Sequence, residues 1–250
     1  MEEQVRPEHV DCGTRGGAEA GVHAVRCFLE EGRDESQVLL KLDSKNAFST
    51  IHREVLLRVI RDSLPKYFPF AWQSYRYPSK LLFGQRTLES ARGVQQGDPL
   101  GPLLFCVLIQ KLTSPLNVWY LNDGTIGGKI ETVLSDLQVV ISEGWKLGLE
   151  LNSAKCELFC FGGSALERQA AQGRAAVACP AIFFPSKSDL NLLGAPLMEE
   201  SLEEAVRAKT SKIRLVNANL NLLFAHQALF LLKNCLRLPK LLYILRCSPL

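Results

Sequence analysis

Tyr120-Leu121-Asn122-Asp123-Gly124, near the middle of a 250-residue chain, is the stretch on which the reading of the fold turns. Val118, Trp119 and Tyr120 are strand formers leading in, and Thr125-Ile126 lead out. Gly124 supplies freedom at positive φ, so the stretch predicts a tight hairpin. Leu39-Leu40-Lys41-Leu42-Asp43 is an apolar run that ends in a carboxylate, and it predicts a neighbouring buried strand. Adjacent strands would bring Asp43 and Asp123 to one end of one sheet. Two carboxylates repel there unless a proton or a divalent cation lies between them. A Mg²⁺ site for phosphoryl transfer is the expectation, with Asn122 beside it.

The composition around that pair is that of a folded protein, with 47% hydrophobic and 22% charged residues and a net charge of +3. Global disorder is excluded, and the overall charge does not by itself demand a nucleic-acid partner. Charge is unevenly spread, however. Residues 201–250 hold eight basic and two acidic side chains, hence +6, against −3 for residues 1–200. That asymmetry suits a polyanion partner or a solvated helical face. The first nine residues lack the apolar core of a signal peptide, and no stretch approaches the ~20 apolar residues of a membrane span. An intracellular protein of cytoplasm or nucleus is expected, with no membrane partner. The eight cysteines are irregularly spaced, without paired CxxC motifs, and Cys156 and Cys160 read as core.

Outward from the hairpin, Arg15 stands among glycines ahead of a helical pattern. It suits either a phosphate at a helix start or the plain opening of a surface helix. Val38–Asp43 is followed by a turn and by an amphipathic helix over His52–Ile60, and Phe48 on its own reads as core. Residues 61–80 predict an irregular, partly helical connector. Lys80–Phe83 and Thr87–Ser90 predict a hairpin around Gly84-Gln85-Arg86. Gly93 to Pro102 is a glycine-bearing loop opening a buried helix. Lys129–Leu147 has helical spacing and ends at Gly148, and Cys156–Phe161 is a further strand. Gly162–Gln172 reads as a variable insertion. Ala181–Phe184 and Leu190–Leu193 are expected to pair as a hairpin ending at Gly194-Ala195-Pro196, and the chain is helical from Ser201 onward.

Four motifs occur in order: Leu42-Asp43-Ser44-Lys45-Asn46-Ala47-Phe48, Gly93-Val94-Gln95-Gln96-Gly97-Asp98-Pro99-Leu100-Gly101-Pro102, Tyr120-Leu121-Asn122-Asp123-Gly124, and Gly148-Leu149-Glu150-Leu151-Asn152 with Lys155. Together they resemble the reverse transcriptase domain of retrotransposons, of the non-LTR mobile-element type. The resemblance implies an α+β right-hand polymerase: an antiparallel palm sheet packed on helices, partial fingers and a helical thumb start. On that plan residues 1–36 are partial fingers, 37–200 the palm with a fingers insertion around 61–92, and 201–250 a basic thumb-like segment. The implied activity is RNA-directed DNA synthesis by two-metal nucleotidyl transfer onto a primer 3′-hydroxyl, using Mg²⁺ or Mn²⁺. The implied partners are an RNA template, a DNA primer and deoxynucleoside triphosphates. Asp43 and Asp123 would be catalytic metal ligands, with the Ser44 carbonyl as a backbone ligand. Phe48 would reject a 2′-hydroxyl. Gln96, Gly97 and Pro99, with Arg15, would contact nucleotide or template. Lys155 would be the general acid, and Leu192, Leu193 and Gly194 the primer grip.

The family pattern at the hairpin is aromatic-x-Asp-Asp, whereas this chain has Asn122 before Asp123. An amide oxygen can coordinate Mg²⁺ but contributes no negative charge. Asn122 is therefore a degenerate ligand position, and impaired or absent polymerisation is expected. The chain also reads as a truncated copy that begins inside the fingers and stops after one or two thumb helices, with no endonuclease, RNase H or zinc-knuckle pattern. One alternative is a non-catalytic nucleic-acid- or protein-binding module on the same fold; another is an active polymerase that tolerates Asn122.

Overall fold

Residues 15–32, 35–95, 114–236 and 238–248 are described by a computed structural model, starting with helix α1 (Gly17–Glu31). Strand β1 (Gln37–Leu42) follows, and the short helix α2 (Ala47–Thr50) opens at Asn46, whose φ is 47°. Helix α3 (Arg53–Ser63) runs through a single 3₁₀ turn at Pro65–Tyr67 into α4 (Phe68–Tyr75). Strands β2 (Ser79–Phe83) and β3 (Arg86–Ser90) form a largely exposed ribbon around Gly84, where a hairpin is expected. The loop and apolar run from Gln96 to Leu108 lie outside the described residues.

The central hairpin is β4 (Leu116–Tyr120) and β5 (Asp123–Gly128), followed by helix α5 (Ile130–Leu147), strand β6 (Glu157–Phe161) and helix α6 (Ala165–Ala178). The sheet order is β4-β5-β1-β6, with every pairing antiparallel. Alternation along β1 explains the layering, since successive side chains point to opposite faces. Val38, Leu40 and Leu42 join Ile126, Val133 and Leu137 in one buried cluster. Full burial of each is worth about 1.5–3 kcal/mol. Leu39, Lys41 and the following Asp43 therefore share the other face. A second cluster, including Ile51, Leu56, Ile60 and Tyr75, ties α2 to α3 and α4.

Helix α5 ends where its glycine predicts. Gly148 adopts φ 85°, and a Cβ there would lie 2.7 Å from the Thr50 carbonyl oxygen. The helix end thus seats directly on the chain after α2, where the His52 N–H donates to Leu147 O at 2.8 Å.

The stretch after β6 adds structure that the sequence left open and overturns one expected pairing. Residues 162–172, read as a variable insertion, mostly belong to α6. Ser164 Oγ accepts from the Glu167 N–H while the Glu167 carboxylate accepts from the Ser164 N–H, a complete capping box. Ala171 and Ala175 are buried on the helix face against the sheet. Ala181–Phe184 does not pair with Leu190–Leu193. Phe183 bridges in parallel to Glu157 on β6, and the actual hairpin is β7 (Asn191–Leu192) with β8 (Ala195–Pro196). A two-residue turn at Leu193-Gly194, φ 50° and 79°, closes that shorter ribbon and leaves 181–184 free to extend the sheet.

The chain divides into two compact units, Met1–Gly17 with Gly32–Phe184, and Ala18–Glu31 with Pro185–Leu250. The second comprises α1, β7, β8 and the helices α7 (Glu199–Leu220), α8 (Ala225–Leu231) and α9 (Leu238–Cys247), with a π-helical turn at Leu232–Leu236. Arg26 of α1 donates to Pro196 O at 2.6 Å, and Arg246 of α9 donates to Glu19 at 3.1 Å, so α1 joins the C-terminal helices. Among the described residues, no helix is long and apolar enough to cross a membrane.

Substituting Ser164→Ala removes the side-chain acceptor of the capping box and should cost about 1 kcal/mol in urea unfolding. Glu167→Gln should be nearly neutral, since glutamine serves at the same position of the motif.

Candidate active site

Tyr120 pairs with Asp123, so the β4–β5 turn has only two central residues, Leu121 and Asn122. Positive φ falls on Leu121, at 56°, and not on Gly124, which lies in extended β5. A left-handed leucine costs about 1–2 kcal/mol. Gly124 is needed for a different reason. Its cross-strand partner is Trp119, and a Cβ on Gly124 would lie 2.5 Å from the indole ring. The ring is buried, and its Nε1–H donates to Asn117 Oδ1 at 2.8 Å. The tryptophan therefore lies flat on the glycine and locks the turn to the strand behind it.

The last β1–β5 pair is Leu42 with Gly124, and one further step in that register sets Asp43 opposite Asp123. Partial burial, then the neighbouring Asp43 charge, push the Asp123 carboxyl pKa above its ordinary value, against weaker opposing pulls from Lys41 and Lys155. Lys41 shares the face but is engaged by Glu157 at 2.6 Å. The Lys155 ammonium stands 3.9 Å from an Asp43 oxygen and is itself well exposed, a pair that solvent screens heavily.

The backbone behind Asp43 is anchored. Its carbonyl accepts from the Asn152 N–H at 2.8 Å and from the Cys156 thiol at 4.0 Å. Cys156 is fully buried and unbridged, as expected of a core cysteine; its thiol pKa is pushed up by the hydrogen bond with Cys179 and by burial. Ser44 bridges Leu151, but the hydrogen bonds of that bridge belong to Lys45 with Glu150 and to Asn152 with Asp43. By ladder geometry the Ser44 carbonyl points away from the bridge. Two carboxylates, with the half-buried Asn122 amide in the adjoining turn, set oxygen donors of the hard character that Mg²⁺ takes at one sheet end. Among the described residues, no three His, Cys, Asp or Glu side chains cluster for a metal. The set fits a divalent ion that also takes oxygens from water or substrate.

Phe48 sits on α2, half-buried against the cluster of α3 and α4. Its carbonyl accepts from the Val94 N–H at 2.7 Å, so the strip leading toward Gln96 runs along it. Gln96, Gly97 and Pro99 themselves lie outside the described residues. Arg15 is exposed at the start of the described chain, one residue before Gly16 at φ 71°. The Leu192-Leu193-Gly194 turn belongs to the second unit, where Tyr243 Oη donates to Leu193 O at 3.0 Å. Sequence reasoning missed Arg53, which is buried with its guanidinium hydrogen-bonded to the 90–93 strip. The signal was available, since Arg53 stands three and four residues ahead of Leu56 and Leu57 on the inward face of α3.

The raised Asp123 pKa sets a pH signature. A carboxyl harder to ionise in the folded state contributes stability that is fully present below its ordinary pKa of 3.8 and is lost as pH rises through the raised value. Asp123→Asn should therefore melt above the parent at pH 7 without divalent ions, and the gap should close as pH falls toward 3.8. Millimolar Mg²⁺ should raise the Tm of the parent and leave the variant nearly unmoved.

The reverse transcriptase (RNA-dependent DNA polymerase) family matches residues 16–212. No curated protein matches the chain. Among solved structures, telomerase from Candida albicans, in complex with a TWJ fragment of telomeric RNA, aligns at 12% identity with a TM-score of 0.40, covering 63% of this chain. The alignment takes in 32% of the telomerase chain, so this chain spans about a third of its length. The four-stranded antiparallel sheet and its packed helices are the palm of that polymerase family. The chain belongs to the reverse transcriptases, a family that uses divalent metal ions and RNA templates.

Proposed function

We propose that this chain is the palm of a non-LTR-type retroelement reverse transcriptase whose metal site has lost one carboxylate, leaving RNA-directed nucleotidyl transfer impaired. The observation that carries the reading is the placement of Asp43 and Asp123 at one sheet end with Asn122, not a third carboxylate, in the turn between β4 and β5. When bound, divalent ions supply activation of a primer 3′-hydroxyl and neutralisation of charge on the departing pyrophosphate.

The chain's own residues have distinct parts in that reading. Asp43, Asp123 and the Ser44 carbonyl hold the ions. Lys155, exposed and near Asp43, gives a proton to the leaving pyrophosphate. Phe48 lies against the sugar of the incoming nucleotide, where it excludes a 2′-hydroxyl. Arg15, Gln96, Gly97 and Pro99 contact template or nucleotide. The Leu192–Gly194 turn steadies the primer end, and the cationic surplus of residues 201–250 follows the phosphates of the primer–template.

Asn122 keeps an oxygen but removes a unit of negative charge from a site that neutralises a triphosphate. About 3–5 kcal/mol of lost transition-state stabilisation corresponds to roughly two to four decades in rate. Primer extension on an RNA template, comparing the chain with Asn122→Asp in Mg²⁺ and in Mn²⁺, tests the proposal. The variant should extend primers at least ~10²-fold faster than the parent. Equal rates would remove Asn122 as the cause of impairment. A parent and variant that are both inactive, yet bind primer–template with an affinity falling steeply in salt, would favour a binding module on the palm fold.

A further inference from the structure

Arg53 is 6% exposed, although it opens α3 beside the solvent-exposed β2–β3 ribbon. Its donors go almost entirely to one strip of chain. Nε donates to Gly93 O at 2.9 Å, and Nη2 to Ser90 Oγ at 3.1 Å and Arg92 O at 3.4 Å. Nη1 donates to Tyr77 O at 3.3 Å, and the guanidinium lies over the Tyr75 ring, 5.4 Å from its centroid. A planar fork with several donors can grip three carbonyls and a hydroxyl at once, which a lysine ammonium cannot reproduce.

The gripped strip is in turn laid against Phe48. The Gly93 N–H donates to Ile51 O at 2.8 Å and the Val94 N–H to Phe48 O at 2.7 Å. Gly93 has φ +70°, and a Cβ on it would lie 2.3 Å from Phe48 O and 2.5 Å from Ser49 Cα. Residues 93–94 therefore lie flush on the backbone of α2. From Arg53 through Gly93 and Val94 to Phe48, the hydrogen bonds close a loop that begins and ends within six residues of chain.

We propose that Arg53 is a positioning residue for sugar selection: through the Gly93-Val94 strip it fixes the height of Phe48 against the incoming nucleotide. The proposal rests on the reading of Phe48 as the residue that excludes a 2′-hydroxyl. Discrimination by steric exclusion depends on a single oxygen atom, so a displacement well under 1 Å changes it, whereas a plain structural anchor would alter stability and leave the sugar preference alone.

The test is the ratio of kcat/KM for a deoxynucleotide to that for the matching ribonucleotide, measured in the Asn122→Asp background with Mn²⁺. Phe48→Val should lower the ratio by about tenfold or more. Arg53→Met should lower it about three- to tenfold with primer–template affinity retained, Arg53→Lys should fall between, and Arg53→Met combined with Phe48→Val should add little to Phe48→Val. A folded Arg53→Met with the parental ratio overturns the inference and leaves the reading of Phe48 standing. Phe48→Val with the parental ratio overturns that reading, and this inference with it. Should Arg53→Met fail to fold, Arg53→Lys decides: an unchanged ratio overturns the inference. Should the background enzyme extend no primer, the same ratio is taken from nucleotide dissociation constants on the primer–template complex, and absence of nucleotide binding overturns both.

Discussion

Two like charges held opposite one another at the end of an antiparallel strand pair are the constraint on which the rest of the first unit depends. β1 lies inside the sheet, paired on both edges, and its register with β5 leaves no freedom for Asp43 to swing away from Asp123. A slip of one residue would carry Lys41 and Asp43 to the face of Leu40 and Leu42, into the buried cluster, so the hydrophobic layer enforces the repulsion. The nearby lysines relieve it only in part. Lys41 is taken by Glu157, and Lys155 is exposed and screened. Among the described residues, the requirement of the site for positive charge is met only in part. A pair of partly compensated carboxylates at one sheet end attracts a cation.

The legible part of the fold was the part in which local pattern and tertiary burial agree. The apolar run of β1, the hairpin β4–β5 and the long period of α5 with its terminal glycine are of this kind. The misread elements share a different character. Helix α6 buries alanines, whose small side chains give a faint apolar stripe, although its Ser164–Glu167 box was written in the chain. The turn at Leu121 is one that sequence rules reserve for glycine. There the pairing of Tyr120 with Asp123 overrides local preference, and Gly124 serves the contact with Trp119 instead. Arg53 was passed over because a cation at the start of a helix reads as solvated, although its spacing to Leu56 and Leu57 sets it on the inward face, where it grips the 90–93 strip.

Within the second unit, residues 201–250 carry a net charge of +6, and those charges are not all equally available. Arg207 is engaged by Glu203 and Glu204 one turn back on α7. Lys212 and Arg214, further along the same helix, and Lys233 beyond α8 are exposed, with no acidic side chain among Ser211–Leu232. An uncompensated group of this kind attracts phosphate without sequence preference and loses that attraction in salt. The Leu193-Gly194 turn of the same unit is held on one side by Tyr243 and, at Pro196, by Arg26. Both grips are made to backbone carbonyls, so the turn keeps its shape whatever side chains it presents.

The strain at Leu121 bears on what an amide in place of a carboxylate at position 122 would mean. A positive φ on leucine persists only where the surroundings over-determine it. Here the determinants are the β4–β5 register, the indole of Trp119 lying on Gly124, and the burial of Ile126 below. None of them involves the Asn122 side chain. The turn that presents an amide is therefore the turn that would present a carboxylate, with no backbone rearrangement between the two. Asparagine and aspartate are nearly isosteric and differ by one charge, and the strained turn accommodates either. On the proposed reading, the change at the hairpin is one of charge alone, set in a geometry that the core behind it enforces.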